Sequence, residues 1–494
     1  MLFNSIEFLL FFPIVVLLYY LIPKKAGKVW LLITSYFFYM CWNAAYAILI
    51  LISTVVTYGA ALLMNRTDSK SAKKGFLIGN LVINFGILFF FKYFEFFLMN
   101  ISFFVKLFGG DAIKNPFSLL LPVGISFYTF QAVGYAIDVY RGDLKSEKNF
   151  VTYALFVSFF PQLVAGPVER AKNLLPQIKD MSFIRKASYN DVVSGLCDMV
   201  WGLFLKMVIA DRIALFVDGV FANTYKLGTI ETVLGAIAFA IQIYCDFGGY
   251  SAIAIGAAKV LGVELMKNFD TPYFAESIAE FWHRWHISLS TWFKDYVYIP
   301  LGGNRCSKAK KYRNLLITFL VSGLWHGASW TYVLWGGLHG LYQIVEDLLK
   351  NTFGNIRAAL KINKDTFGYH LAAKIRTFLF VSFAWIFFRA ESVSQAFLYI
   401  RRMITRFNPW VLYNESLFKF GLDRTETWIL MIAIAVLLLV DIAQYKTKKT
   451  PGELLLKENV PFRWIAVIVL VLIVLVYGEY GINFDSGKFI YFDF

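Results

Sequence analysis

"NLLITFLVSGLWHGASWTYVLWGGLHG", residues 314–340, has the apolar density of a membrane-buried helix, yet it contains two histidines. An ionisable side chain at membrane depth is costly, so such a residue normally faces a cavity or a partner rather than lipid. The stretch therefore points to a membrane fold with a protein-lined interior. His326 is its first candidate functional residue.

The rest of the chain agrees. Of 494 residues, 58% are hydrophobic and 19% aromatic, and the mean hydropathy is +0.59. A soluble domain does not have that balance. Apolar runs begin near residues 6, 29, 45, 76, 118, 150, 190, 230, 314, 372, 428 and 463. At roughly 20 apolar residues per span, they predict roughly 11 transmembrane helices. The runs at 150–165 and 276–303 are interrupted by Pro or Gly. They read as broken or re-entrant helices, which are tolerated only where protein or a cavity surrounds them. The expected architecture is an all-α polytopic membrane protein built around a central channel, a single domain over residues 1–494. The first run lacks a basic n-region and a small-residue cleavage site, so it reads as a retained span.

Lys and Arg number 48 against 33 Asp and Glu, a formal net charge of +15. These cations lie in short loops between apolar runs, which fits positive-inside topology better than nucleic-acid binding. "KKAGK" (24–28), "RTDSKSAKK" (66–74) and "RCSKAKKYR" (305–313) are then cytoplasmic, with the N-terminus outside. His326 lies twelve residues beyond Asn314. That is about 18 Å along a helix, near the middle of a core roughly 30 Å thick. The four cysteines (Cys41, Cys197, Cys245, Cys306) have neither disulfide-framework nor zinc-motif spacing, so no metal is expected.

Four of the five histidines, His283, His286, His326 and His339, fall between residues 283 and 339. A neutral imidazole suits general-base work near pH 7. It could take the proton from an alcohol attacking an activated acyl group. Its bland alternative is a hydrogen bond between helices. In "FWHRWHISLSTWFKDYVYIPLGGNR" (281–305), a helix over 281–293 would put His283 and His286 one turn apart, with Ser290 a further turn along. That face could meet His326 across a cavity, or the segment could be a polar interfacial helix with its tryptophans at the headgroups. His339, 13 residues past His326, lies about 20 Å further along a straight helix. It is expected near the external surface, with a structural or acceptor-entry role. His370 reads as a loop residue.

These two segments resemble the core of the membrane-bound O-acyltransferase family. The resemblance extends through "LPVGISFYTFQAVGYAIDVYRG" (121–142), "FFPQLVAGPVER" (159–170), "DFGGYSAIAIGAAKVLG" (246–262), "WIFFRAES" (385–392) and "FIYFDF" (489–494). It is strongest to a bacterial branch that O-acetylates alginate and peptidoglycan, with D-alanyl transfer to teichoic acid as a more distant alternative. The resemblance implies a reaction in which a cytoplasmic thioester donor, expected to be acetyl-CoA, gives its acyl group to a hydroxyl. It also implies catalytic roles for His326 and His286. His283, Trp282, Trp285, Ser290, Asn304, Arg305, Trp325 and His339 are expected to line the donor channel. The branch further implies a bacterial cytoplasmic-membrane location. An extracytoplasmic SGNH-hydrolase-like transferase would be the partner, and an exopolysaccharide or cell-wall glycan the final acceptor. Ala252 departs from the Asp that many alginate-type relatives carry, which leaves the polymer open. A polytopic transporter or a scaffold of a polymer-secretion complex are the rival classes. No pair of matching interrupted halves supports the transporter.

Overall fold

The computed structural model describes residues 1–494 except 112, 114, 118–119, 165, 182–186, 481–489 and 491–494. Among the described residues, all regular structure is helical. Among those described residues, seven helical segments are long and apolar enough to cross a membrane: Ala44–Arg66, Lys70–Leu107, Tyr189–Ala222, Thr229–Val260, Phe367–Arg389, Arg424–Thr447 and Val460–Tyr477. The protein is an all-α, multi-pass membrane protein. The sequence reading of roughly 11 spans, at about 20 residues each, also counted apolar runs that fold as shorter or hairpinned helices.

The chain forms two compact units, one of Met1–Met199 with Ile253–Met266 and one of Val200–Ala252 with Lys267–Phe494. In the first, the helix Ile125–Arg141 is buried over nearly its whole length. Gly124 starts it at φ 74°, where a Cβ would lie 2.3 Å from the Leu163 carbonyl oxygen. Only glycine fits that approach. Polar side chains join two neighbouring helices: Thr57 donates to Asn80 Oδ1 at 2.8 Å and Ser53 to Asn84 Oδ1 at 2.5 Å. Such bonds hold helices together where lipid supplies no hydrophobic drive. Near the end of the "FFPQLVAGPVER" run, Glu169 accepts from the Met266 N–H and from Asn173 Nδ2.

The second unit contains all five histidines. Here the stretch 314–340 departs from the expected single straight helix. One helix runs Lys308–His326, the chain turns at Gly327–Ser329, and a second helix runs Trp330–Ala359. Ser329 caps the second by accepting from the Thr331 N–H. The two are antiparallel. A Cβ on Gly323 would lie 2.2 Å from the Tyr332 carbonyl oxygen, and one on Gly336 2.2 Å from that of Phe319. Glycines thus let the backbones touch, as small residues do in membrane helix pairs. At the open end of the hairpin, Lys311 Nζ and Tyr312 Oη both donate to Asp347 Oδ2 at 2.9 Å. The two ends of the hairpin therefore lie together beside the basic run, and His326 sits at its tip. Phe367–Arg389 then runs back along the return helix, with Tyr342 against Phe380 (5.3 Å) and Trp335 against Trp385 (5.3 Å).

Of the terminal "FIYFDF", only Ile490 is described; its amide donates to Asp246 Oδ2 at 2.9 Å. The rest of that motif lies outside the described residues. Asp246 also meets Lys206 Nζ at 2.6 Å, and Lys206 meets Asp211 at 2.7 Å. These three charges are buried together inside the second unit. His370 is helical rather than a loop residue, in the first turn of Phe367–Arg389, with Nδ1 2.9 Å from Glu276 Oε1.

Candidate active site

The 281–293 segment is not one helix. Ser277 caps Ile278–Arg284 by accepting from the Glu280 N–H, and a second short helix runs Ile287–Phe293. His286 lies between them with φ 42° and ψ 54°, in the left-handed region. The break turns His283 and His286 apart. His283 is exposed, with Nδ1 2.6 Å from the Ala279 carbonyl oxygen, whereas His286 is 0% exposed. The expected shared face of His283, His286 and Ser290 is therefore corrected. Sequence periodicity assumes regular φ and ψ, and one left-handed residue resets the phase.

The break delivers His286 to His326. Their ring centroids are 6.3 Å apart, and His326 is 2% exposed. Aromatic rings close around the pair. Trp325 and Trp335 each lie 4.9 Å from His326, and Phe388 lies 5.4 Å away. Phe247 meets His286 edge-on at 4.6 Å. Trp335, Phe388 and Phe247 were not singled out by sequence, because a Trp or Phe in an apolar run carries no positional signal of its own.

His339 is not near an external surface. The hairpin carries it back toward the basic end, where it is 0% exposed. Trp282 Nε1 donates to its Nδ1 at 3.2 Å, and its ring lies 5.2 Å from that of Trp335. Trp285 is fully buried, stacked against Phe281 at 5.4 Å.

A cavity of about 1260 Å³ opens beside the hairpin, lined by residues that include Trp282, His283, Ser290, Asn304, Lys311 and Ser322. Lys350, Arg357 and Arg376 also face it, together with Glu276, Glu346 and Asp347. Hydrogen bonds from Lys311 and Tyr312 hold the Asp347 carboxyl below its usual range. Arg305 does not line this cavity; it is exposed in the turn after Gly302 and Gly303. Ser322 is one turn from His326 and Ser290 one turn from His286. Neither His286 nor His326 lines the cavity. The two imidazoles are thus enclosed by the surrounding rings and do not meet across the cavity that the sequence allowed for. Among the described residues there is no group of three or more His, Cys, Asp or Glu side chains arranged to hold a metal ion.

The arrangement combines two buried imidazoles with a cavity of mixed charge whose wall includes Ile287, next to His286, and Ser322, four residues before His326. Comparison with known proteins gives this geometry its chemical class. The membrane-bound O-acyltransferase family profile matches residues 144–361, which include both histidines and most of the cavity wall. The chain is 38% identical over 450 residues to the Pseudomonas aeruginosa protein named "probable alginate O-acetylase AlgI", covering 90% of this chain and 82% of that one. It is 36% identical over 434 residues to the peptidoglycan O-acetyltransferase of Helicobacter pylori, covering 82% and 80%. A teichoic acid D-alanyltransferase of Streptococcus thermophilus is 30% identical over 264 residues, covering 51% of this chain and 62% of the relative. The chain belongs to the membrane-bound O-acyltransferase family, and is an acyltransferase.

Proposed function

We propose that this protein takes an acetyl group from acetyl-CoA on the cytoplasmic side of the bacterial inner membrane and passes it outward for O-acetylation of an extracytoplasmic polysaccharide. The whole chain, 1–494, acts as one acyltransferase domain. The observation that carries this reading is the pairing of His286 and His326, ring centroids 6.3 Å apart, next to the inner end of a cavity lined by Lys311, Lys350, Arg357 and Arg376. Those cations suit the phosphates of a large anionic donor that cannot cross lipid. The relatives named for alginate and peptidoglycan O-acetylation support acetyl as the group and a glycan as the final acceptor.

In this reading His326 acts as general base. Its imidazole accepts the proton of the acceptor hydroxyl as the oxygen bonds to the thioester carbonyl carbon. The C–S bond then breaks, and the thiolate leaves with that proton as free thiol. His286 orients the donor or supports His326. The tight aromatic packing excludes bulk water, which protects the thioester from hydrolysis. Admission of the acyl group requires the rings between Ser322 and His326 to shift, a local gating step of a kind common in enzymes.

The immediate acceptor in this reading belongs to a separate extracytoplasmic transferase of the SGNH-hydrolase kind. Residues 393–419 offer one 13-residue helix and two short 3₁₀ turns, too little to hold a long polymer. Transfer of radiolabel from acetyl-CoA by the purified protein in proteoliposomes, with and without such a partner, tests the scheme. His326→Ala is expected to lower transfer about 10² to 10⁴-fold while the protein still folds in detergent. Wild-type transfer by that variant would remove His326 from the mechanism.

A further inference from the structure

His286 owes its position to an unusual backbone. A left-handed conformation is rare outside glycine, and it persists only where surrounding structure imposes it. The imposing contacts run to one short segment, residues 268–270. The Asp270 N–H donates to the Arg284 carbonyl oxygen at 2.9 Å, and Arg284 Nη1 donates back to the Asp270 carbonyl oxygen at 3.0 Å. On the other side of His286, the Ile287 N–H donates to the Asn268 carbonyl oxygen at 2.9 Å. The Ser288 hydroxyl donates to Asn268 Oδ1 at 2.6 Å, and Asn268 Nδ2 donates to Ser251 Oγ at 3.0 Å. Asn268 and Ser288 are 0% exposed.

Asn268 thus ties the His286 turn to a second element. Ser251 stands one turn beyond Phe247 on the Thr229–Val260 helix, and the Phe247 ring meets the imidazole of His286 at 4.6 Å. The Asn268 carboxamide therefore links the Ser288 hydroxyl, two residues past His286, to the helix whose ring packs on the imidazole, while the Asn268 main-chain carbonyl holds the Ile287 N–H. A carboxamide is suited to this because it accepts through oxygen and donates through nitrogen within one plane. An apolar side chain of similar size does neither.

We propose that Asn268 is a positioning residue of the acyltransferase, holding the His286 imidazole in register with His326. The inference rests on the reading that His286 takes part in transfer. It touches no reacting atom; its effect passes through His286.

The test uses the full-length protein in proteoliposomes and single-turnover transfer of label from acetyl-CoA, so that slow residual transfer is readable. Asn268→Ala is expected to lower the maximal rate about ten- to a hundredfold, the scale of a small misplacement of a catalytic group. The apparent affinity for acetyl-CoA should change little, because the cavity wall does not include Asn268. In a His286→Ala background the same substitution should cost almost nothing more, since no imidazole remains to be placed; residues acting as a unit are non-additive in this way. Ser288→Ala, which removes one hydroxyl and little volume, should repeat the pattern with a smaller loss, and it serves if Asn268→Ala does not fold. An unchanged rate, or losses that multiply in the double variant, would overturn the positioning role and leave His286 standing. Full transfer by His286→Ala alone would overturn the reading of His286, and this inference with it.

Discussion

Trp282 gives His339 a single hydrogen bond, indole N–H to Nδ1 at 3.2 Å, inside a packed group of rings. Because Nδ1 accepts, a neutral ring carries its proton on Nε2. His339 is thereby committed to a structural contact between the return helix and the Ile278–Arg284 helix. Trp282→Phe keeps an aromatic ring but deletes the donor along with the pyrrole half of the indole, leaving a buried acceptor unsatisfied. That should cost about 1–3 kcal/mol of stability, read as a lower midpoint in thermal unfolding in detergent. Because Trp282 also lines the donor cavity, the apparent affinity for acetyl-CoA can change, but the maximal rate measured well below the new midpoint should be nearly unchanged. A large loss of transfer with an unchanged midpoint would instead give His339 a part in the reaction. The contrast with His326 is one of partners: His339 has an indole donor, whereas His326 has a second imidazole beside it.

At the scale of elements, the hairpin of Lys308–His326 and Trp330–Ala359 is the device that places His326. Its closeness depends on glycine at particular positions. A Cβ on Gly336 would fall 2.2 Å from the Phe319 carbonyl oxygen, a backbone atom that cannot swing aside. One residue on, a Cβ on Gly337 would meet only the end of the Leu320 side chain, at 3.3 Å. Gly336→Ala should therefore separate the helices and destabilise the protein by about 1–3 kcal/mol, as overpacking does. Transfer should fall about 10²-fold through misplacement of His326. Gly337→Ala should leave both stability and transfer near wild type. Equal behaviour of the two variants would mean that the hairpin is not closely packed. Much of this design was legible in the sequence: the membrane class, the helical content, and the two segments that bring His286 and His326 together. The hairpin was not. Its turn is three residues, Gly327–Ser329, inside an apolar run, and apolar periodicity continues across it. A glycine followed by a serine able to cap a new helix was the available signal. The left-handed turn at His286 left no such mark, because no glycine announces it. It follows from contacts made by Asn268, eighteen residues earlier.

Across the whole site-bearing unit, hydrogen bonds and ion pairs sort the loops into two ends. At one end, Lys311 meets Asp347 (2.9 Å), His370 meets Glu276 (2.9 Å) and Lys448 meets Asp270 (3.6 Å). At the other, Asn408 Nδ2 donates to Glu231 Oε2 at 2.6 Å, the Thr229 N–H donates to the Arg406 carbonyl oxygen at 2.8 Å, and Arg389 meets Asp218 at 2.6 Å. The first end carries the basic run 305–313 together with Lys350, Arg357, Lys446, Lys448 and Lys449. By the positive-inside rule, such an excess of cations in short loops predicts that this end faces the cytoplasm. The cavity mouth is on the same end, since Lys311, Lys350 and Arg357 line it. Donor entry and cytoplasmic topology are thus one prediction, open to one measurement. In a variant with Cys41, Cys197, Cys245 and Cys306 replaced, a single cysteine at Ser307 should react with a membrane-impermeant maleimide only in inside-out vesicles. A single cysteine at Ser416, in the segment that joins the far end, should react only in right-side-out ones. Externally added acetyl-CoA should support transfer only in the vesicles that label Ser307→Cys. Labelling of Ser307→Cys from the outer face, or use of acetyl-CoA from that face, would invert the donor route. A donor that reached His326 from the outside would have no need of the basic residues around the mouth.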